Sequence, residues 1–131
     1  MNNKQTILAI DFDGTIVEHD YPNIGELKEG VVEYINKLHE EGFYIIIWTV
    51  RDGLDLEDVK TFLKENSIHY DAINENSMWF LERLNEDPRF GKEYHEPRKI
   101  YADIYIDDKN LGKDGEEDWE DIYNEIHNHE I

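Results

Sequence analysis

Asp11 and Asp13 stand two residues apart, and Gly14 and Thr15 follow directly. In extended backbone, residues i and i+2 project to one face, so the two carboxylates would sit side by side. Gly14 allows a sharp turn at no steric cost. Neighbouring carboxylates repel, and such a pair is compensated by a shared proton, a raised pKa or a bound cation. A second acidic pair, Asp107-Asp108, closes another apolar run. If the two runs are neighbouring strands, three or four carboxylates converge. A hard divalent cation with oxygen ligands fits such a set, and Mg²⁺ is the usual choice where phosphate is also bound. Thr49, closing a third apolar run, adds a hydroxyl. Arg51 adds a positive charge that serves either a substrate or a structural ion pair. Taken singly, an Asp-Gly after a strand is more often a turn than a site. The recurrence of acids, Thr and a base at several strand ends is what points to chemistry. A calcium loop of the EF-hand type does not fit. Counted from Asp11, the twelfth position is Pro22; counted from Asp108, the sixth is Lys113 and the twelfth is Trp119. That loop needs Gly and Glu there.

The elements that must carry these residues are legible. Ile7-Leu8-Ala9-Ile10 is a short continuous apolar run ending at a Gly turn, which reads as a buried strand. Residues 16–27, with Pro22 and Gly25, read as a loop. Val31, Ile35 and Leu38 recur at helical spacing over 28–41, and Gly42 stops that helix. The β-branched and aromatic run 43–48 is a second buried strand. Asp55 is the expected N-cap of a helix running to about Glu65. Residues 70–73 and 100–106 are a third and fourth strand. Trp119, Ile122, Tyr123 and Ile126 mark a terminal amphipathic helix whose outer face is acidic. Strands alternating with helices imply an α/β fold, a Rossmann-like three-layer arrangement around a central parallel sheet. Such sheets bind ligands beyond the carboxyl ends of their strands, which is where Asp11/Asp13, Thr49/Arg51 and Asp107/Asp108 fall.

Composition narrows the function classes. The 131 residues carry 32 acidic against 13 basic side chains, a net charge of −19, so a nucleic-acid or anionic-membrane partner is not expected. That length suggests a single domain with a real core. There is no cysteine, which excludes disulfides, thiolate metal sites and Cys nucleophiles. Residues 1–6 lack the layout of a signal peptide, and no apolar run is long enough to span a bilayer. The expectation is a soluble, cytoplasmic protein.

Asp11-Phe12-Asp13-Gly14-Thr15 after a buried strand resembles the first signature of the haloacid dehalogenase superfamily. Thr49 after Ile45-Ile46-Ile47-Trp48 resembles the second, and Asp107-Asp108 after 102–106 resembles the paired-acid form of the fourth. The resemblance covers residues 7 to 108 in the family's order. It implies a Rossmann-like phosphotransferase fold with Mg²⁺ and phosphatase activity on a small phosphorylated metabolite. Asp11 would be the nucleophile, forming an aspartyl-phosphate. Asp13 would protonate the leaving oxygen and then activate water. Mg²⁺ would be held by Asp11, the backbone carbonyl of Asp13 and one of Asp107 and Asp108, with Asp108 favoured as the direct ligand. Thr49 would bond a phosphoryl oxygen, with Gly14 and Thr15 also against the substrate. The third signature needs a Lys, taken here as Lys99, with Lys92 and Arg98 as alternatives.

Neither 16–27 nor 74–98 is long enough for a large cap domain. Both segments are expected to line the entrance, with 74–98 as a substrate-specificity segment and Glu18, His19 and Tyr21 on the shorter loop. The plainer alternative makes Trp79 and Phe80 core. An open entrance either admits large substrates or is closed by a second copy of the chain, so a homo-oligomer stays open. Two other readings compete: a receiver-like phosphoacceptor and a non-catalytic binding module. Receivers place paired acids after the first strand and Lys after the last, the reverse of the order here. A non-catalytic descendant should lose Asp11 or Asp13, and both are present.

Overall fold

A computed structural model of the chain describes residues 5–86, 100–107 and 118–129. It has the order β1 (Ile7–Asp11), α1 (Val31–Glu40), β2 (Tyr44–Trp48), α2 (Gly53–Glu65), β3 (Ala72–Ile73), α3 (Met78–Glu86), β4 (Ile104–Ile106) and α4 (Trp119–His129). The strands form one parallel sheet in the order β3-β2-β1-β4. The chain winds from β1 outward to β3, then returns to place β4 on the other side of β1. The strand order therefore reverses between β1 and β4. The result is an α/β Rossmann-like arrangement, and among the described residues no cap domain is present.

Strand β1 is apolar from Ile7 to Ile10 because both its faces are covered. Leu8, Ile10, Ile45 and Ile47 face a core built with Val31, Ile35 and Leu38 of α1, Val59 and Leu63 of α2, and Trp119, Ile122 and Ile126 of α4. Ile7, Ala9 and Ile46 face the opposite layer, where Trp79 of α3 and Tyr101 pack. Each buried Ile or Leu contributes about 1.5–3 kcal/mol. Of the expected 74–98 segment, the described part therefore uses Trp79 as layer packing, and Phe80 stacks on Tyr101 at 4.7 Å and 2°. Residues 87–98 lie outside the described residues.

Gly42 ends α1 as expected: at φ 99° it lets its own N–H reach the His39 carbonyl while Phe43 reaches Leu38. This reciprocal pair satisfies the carbonyls that the helix end leaves open. Three boundaries differ from expectation. Helix α2 begins at Gly53 with Asp52 as the cap position, and Asp55 lies inside the first turn, where a carboxylate complements the helix dipole. The third and fourth strands are shorter than 70–73 and 100–106 because an aspartate side chain ends each ladder early. Asp103 donates its N–H to the Ile7 carbonyl and accepts the Ile7 N–H on Oδ2, both at 2.8 Å. Asp71 does the same with Ile45, again at 2.8 Å for both bonds. A carboxylate thus stands in for a strand carbonyl.

The terminal helix is held by more than its apolar stripe. Trp119 is 1% exposed, and its indole Nε1 donates to the Thr15 carbonyl at 3.1 Å. Near the far end of α4, Tyr123 donates to Glu41, and His127 meets the other Glu41 oxygen at 2.9 Å. Burial pushes Glu41 upward, but the bonds from Tyr123 and His127 outweigh it and hold the carboxyl below its ordinary value of 4.5. The same contact with Glu41 pushes Tyr123 up to about 12.

Two outcomes follow for stability. Trp119→Ala removes a fully buried indole and should cost about 3–5 kcal/mol in denaturant unfolding, whereas Asn124→Ala on the exposed face should stay within about 0.5 kcal/mol. A carboxyl whose folded pKa is lowered stabilises above its unfolded pKa, and that stability is lost as pH falls through the folded value. The stability gap between wild type and Glu41→Gln should therefore be constant from neutral pH to about pH 5 and close as pH falls below the ordinary Glu range, read from unfolding midpoints across pH.

Candidate active site

Parallel pairing puts the carboxyl ends of all strands on one rim. The register pairs Asp11 with Trp48 and Ile10 with Ile106. Asp107 follows Ile106 at the level of Asp11, and on the other side Thr49 follows Trp48, the β2 partner of Asp11, one step further out. This is the reversal point between β1 and β4, the position where open α/β sheets form a ligand crevice. Asp11, Asp107 and Thr49 stand at strand ends on this rim.

The loop leaving β1 is tightly made. Phe12 donates to the Trp48 carbonyl at 3.2 Å, extending the ladder one residue past β1. Its own carbonyl then receives the Ile16 N–H at 2.9 Å, with Thr15 and Val17 each at 3.3 Å. Gly14 turns at φ 88°, a conformation that a side chain resists, and donates to Val17 at 2.7 Å. Residues 16–28 return as a narrow hairpin, with Glu18 donating to Glu26 at 2.8 Å and Lys28 to Ile16 at 3.0 Å. Thr15 is fully buried, and its hydroxyl has no hydrogen-bond partner among the described residues.

Arg51 occupies the structural role of the two left open by the sequence. Its Nε donates to Asp13 Oδ2 and its Nη2 to Oδ1, both at 2.8 Å. Nη1 donates to the Pro22 carbonyl at 2.9 Å and Nη2 to the Asn23 carbonyl at 2.8 Å. The guanidinium also lies 4.8 Å from the centroid of the Tyr21 ring. The residue is 3% exposed, and four of its five N–H groups are engaged. The bond to Asp13 raises its pKa above the ordinary arginine value, against the opposing effect of burial. Three bonded partners and a neighbouring ring leave this side chain little with which to grip a substrate.

Thr49 is 6% exposed and held at both ends. Its N–H donates to Asn74 Oδ1 at 2.8 Å, and its hydroxyl oxygen accepts the Arg51 N–H at 3.1 Å. Asn74, in the left-handed region at φ 56°, also donates its N–H to the Ile47 carbonyl at 2.9 Å. Sequence reasoning missed Asn74, although Asn just past an apolar run is a residue type that tolerates this conformation. It also missed that the Trp119 indole braces Thr15.

Lys99, Lys92, Arg98 and Asp108 lie outside the described residues. Among the described residues no three acid or histidine side chains are gathered as a ready cation site; Asp13 has turned its carboxylate to Arg51. The donor chemistry at the rim still fits a hard cation. Asp11, Asp107 and the backbone carbonyl of Asp13 are oxygen donors only, as Mg²⁺ prefers. Two concave surfaces lie away from this rim: a pocket of about 190 Å³ bounded by Ile7, Tyr44 and Trp79, and an open groove by Lys60, Lys64 and His69.

An α/β protein with a Rossmann-like parallel sheet and an acid-bearing switch point is thus defined. No family model and no curated protein matches the chain. Among solved structures it is 34% identical to a conserved protein from Bacteroides thetaiotaomicron, over 98% of this chain and 94% of that one, with a TM-score of 0.76. At that identity and coverage the chain belongs to the family of that conserved protein.

The Asn74 clamp is testable. Asn74→Ala strains the left-handed backbone and leaves the Thr49 N–H unpaired, whereas Asn74→Gly removes only the bond. Unfolding should show Asn74→Gly losing about 1–3 kcal/mol and Asn74→Ala losing more.

Proposed function

We propose that the chain is a member of the haloacid dehalogenase superfamily that hydrolyses a small phosphate monoester, with Asp11 as the nucleophile. The observation that carries this reading is the register of β1 with both neighbours: Asp11 pairs with Trp48, the residue before Thr49, and Ile10 pairs with Ile106, the residue before Asp107. The run Asp11-Phe12-Asp13-Gly14-Thr15 on that rim supports it.

In this proposal an Asp11 carboxylate oxygen bonds to phosphorus as the bond from phosphorus to the leaving oxygen breaks. Asp13 gives its proton to that oxygen, and the alcohol departs. A water oxygen then bonds to the phosphorus of the aspartyl-phosphate and passes a proton to Asp13. The bond between Asp11 and phosphorus breaks, and inorganic phosphate leaves. One water is consumed and one alcohol and one phosphate are produced. Thr49 accepts from Arg51 through its oxygen, so its hydroxyl hydrogen remains to donate to a phosphoryl oxygen. Phosphoryl transfer is mostly positioning and neutralisation of charge. Mg²⁺ held by Asp11, the Asp13 carbonyl and Asp107 or Asp108 would supply that neutralisation, and Lys99 is proposed to add to it.

The reading takes the form of a cytoplasmic enzyme acting on small metabolites. The net charge of −19 counts against polynucleotide ends as substrates.

The test is phosphate release from sugar, nucleotide and amino-acid phosphates with Mg²⁺ and with EDTA. Turnover should require the metal, vanish in Asp11→Asn and fall about 10²–10⁴-fold in Asp13→Asn. Full activity in Asp11→Asn would overturn the assignment.

A further inference from the structure

The phosphohydrolase reading asks Asp13 to hand a proton to the leaving oxygen, and the inference below rests on that reading. Donation needs one carboxylate oxygen turned toward the substrate. In the structure both oxygens face Arg51, at 2.8 Å each. The remaining bonded donors of the same guanidinium hold the tip of the 16–28 hairpin through the carbonyls of Pro22 and Asn23. The exposed ring of Tyr21, 63% accessible, lies against the guanidinium from the hairpin side. The Arg51 backbone is fixed in turn by the Thr49 hydroxyl. One buried planar group therefore joins the acid to the entrance hairpin, and the backbone of the same residue is tied to Thr49.

We propose that Arg51 is a positioning residue that couples the seating of the entrance hairpin to the orientation of Asp13. Its donors lie in one rigid fork. A shift of the Pro22 and Asn23 carbonyls tilts that fork and carries the carboxylate with it. In the working geometry one Arg51–Asp13 bond persists while the other oxygen swings to the leaving oxygen. The proton moves from that oxygen to the leaving oxygen as the bond from phosphorus breaks. In the second half-reaction the same oxygen takes a proton from water. Arg51 touches neither phosphorus nor the leaving oxygen, so it acts wholly through Asp13. Lysine, a point charge on a flexible stem, cannot hold two carboxylate oxygens and two carbonyls together.

A residue that acts only through the acid leaves a particular kinetic signature. An alkoxide needs the proton to depart, whereas 4-nitrophenolate departs without it. Steady-state kinetics of the full chain with Mg²⁺ are compared on glycerol 2-phosphate and 4-nitrophenyl phosphate. Arg51→Gln should lose at least about tenfold more kcat on the former, with KM little changed, and Arg51→Lys should not rescue it. The Asp13→Asn/Arg51→Gln double variant should be no slower than Asp13→Asn alone, because the two act as one unit. Equal losses on both substrates, or additive losses in the double variant, would overturn the coupling. If Arg51→Gln fails to fold, Tyr21→Ala takes its place and should show the same selectivity in smaller degree; a uniform effect there counts against the proposal. Hydrogen exchange of amides 18–27 without substrate separates this proposal from the function it rests on. Faster exchange in both Arg51→Gln and Asp13→Asn supports the coupling even if the wild type releases no phosphate, a result that sinks only the phosphohydrolase reading. Unchanged exchange in Asp13→Asn sinks the coupling itself.

Discussion

Everything at the rim depends on one constraint, the parallel pairing of a fully buried β1 between β2 and β4. A parallel ladder fixes not only which strands are neighbours but which residues stand level. A shift of β1 by one residue would turn Leu8 and Ile10 out of the helix-covered core and move Asp11 off the level of Asp107. The apolar faces enforce the register, because Leu8, Ile10 and Phe12 belong to one buried cluster and Ile7 and Ala9 to the other. The chemistry at the strand ends is thus held in place by core packing along the strand.

The second constraint is electrostatic. A chain of net charge −19 gathers acids at the carboxyl rim of its sheet. The structure answers with a buried arginine, although a salt bridge taken out of water stabilises little by itself, because desolvation offsets much of the attraction. Its value lies in geometry. The Arg51 fork satisfies two carboxylate oxygens and two loop carbonyls at once. A guanidinium so used neutralises Asp13 and shapes the hairpin in one act. Asp11 and Asp107 are oxygen donors of the kind that a hard cation takes.

Side chains that imitate backbone recur across the sheet. Asp71 and Asp103 take strand N–H groups at the amino ends of β3 and β4, and Asn74 takes the Thr49 N–H at the carboxyl end. Each ends a ladder without leaving a backbone donor unpaired. The third and fourth strands are short at their amino ends for this reason.

The strands, the helices α1, α2 and α4 and the acids at strand ends were legible in the sequence because each rests on a local signal: an apolar run, a period of 3.6, a Gly turn; α3 was not assigned from the sequence. The Rossmann-like order followed from their alternation, and the helix bounded by Gly42 and the terminal helix with its Trp119 stripe stand where periodicity put them. The start of α2, the shortened third and fourth strands, the Asn74 clamp and the Trp119 brace on Thr15 were not legible. Except at the start of α2, which closes locally on Asp52, their partners lie 25 to 104 residues away along the chain, and no local pattern specifies a hydrogen bond at that range. Arg51 makes the division plain. Its charge and its place after Thr49 were visible in the sequence, while its partners were chosen only when folding brought Asp13, Pro22 and Asn23 around it, because a buried guanidinium must find acceptors wherever the packed chain supplies them.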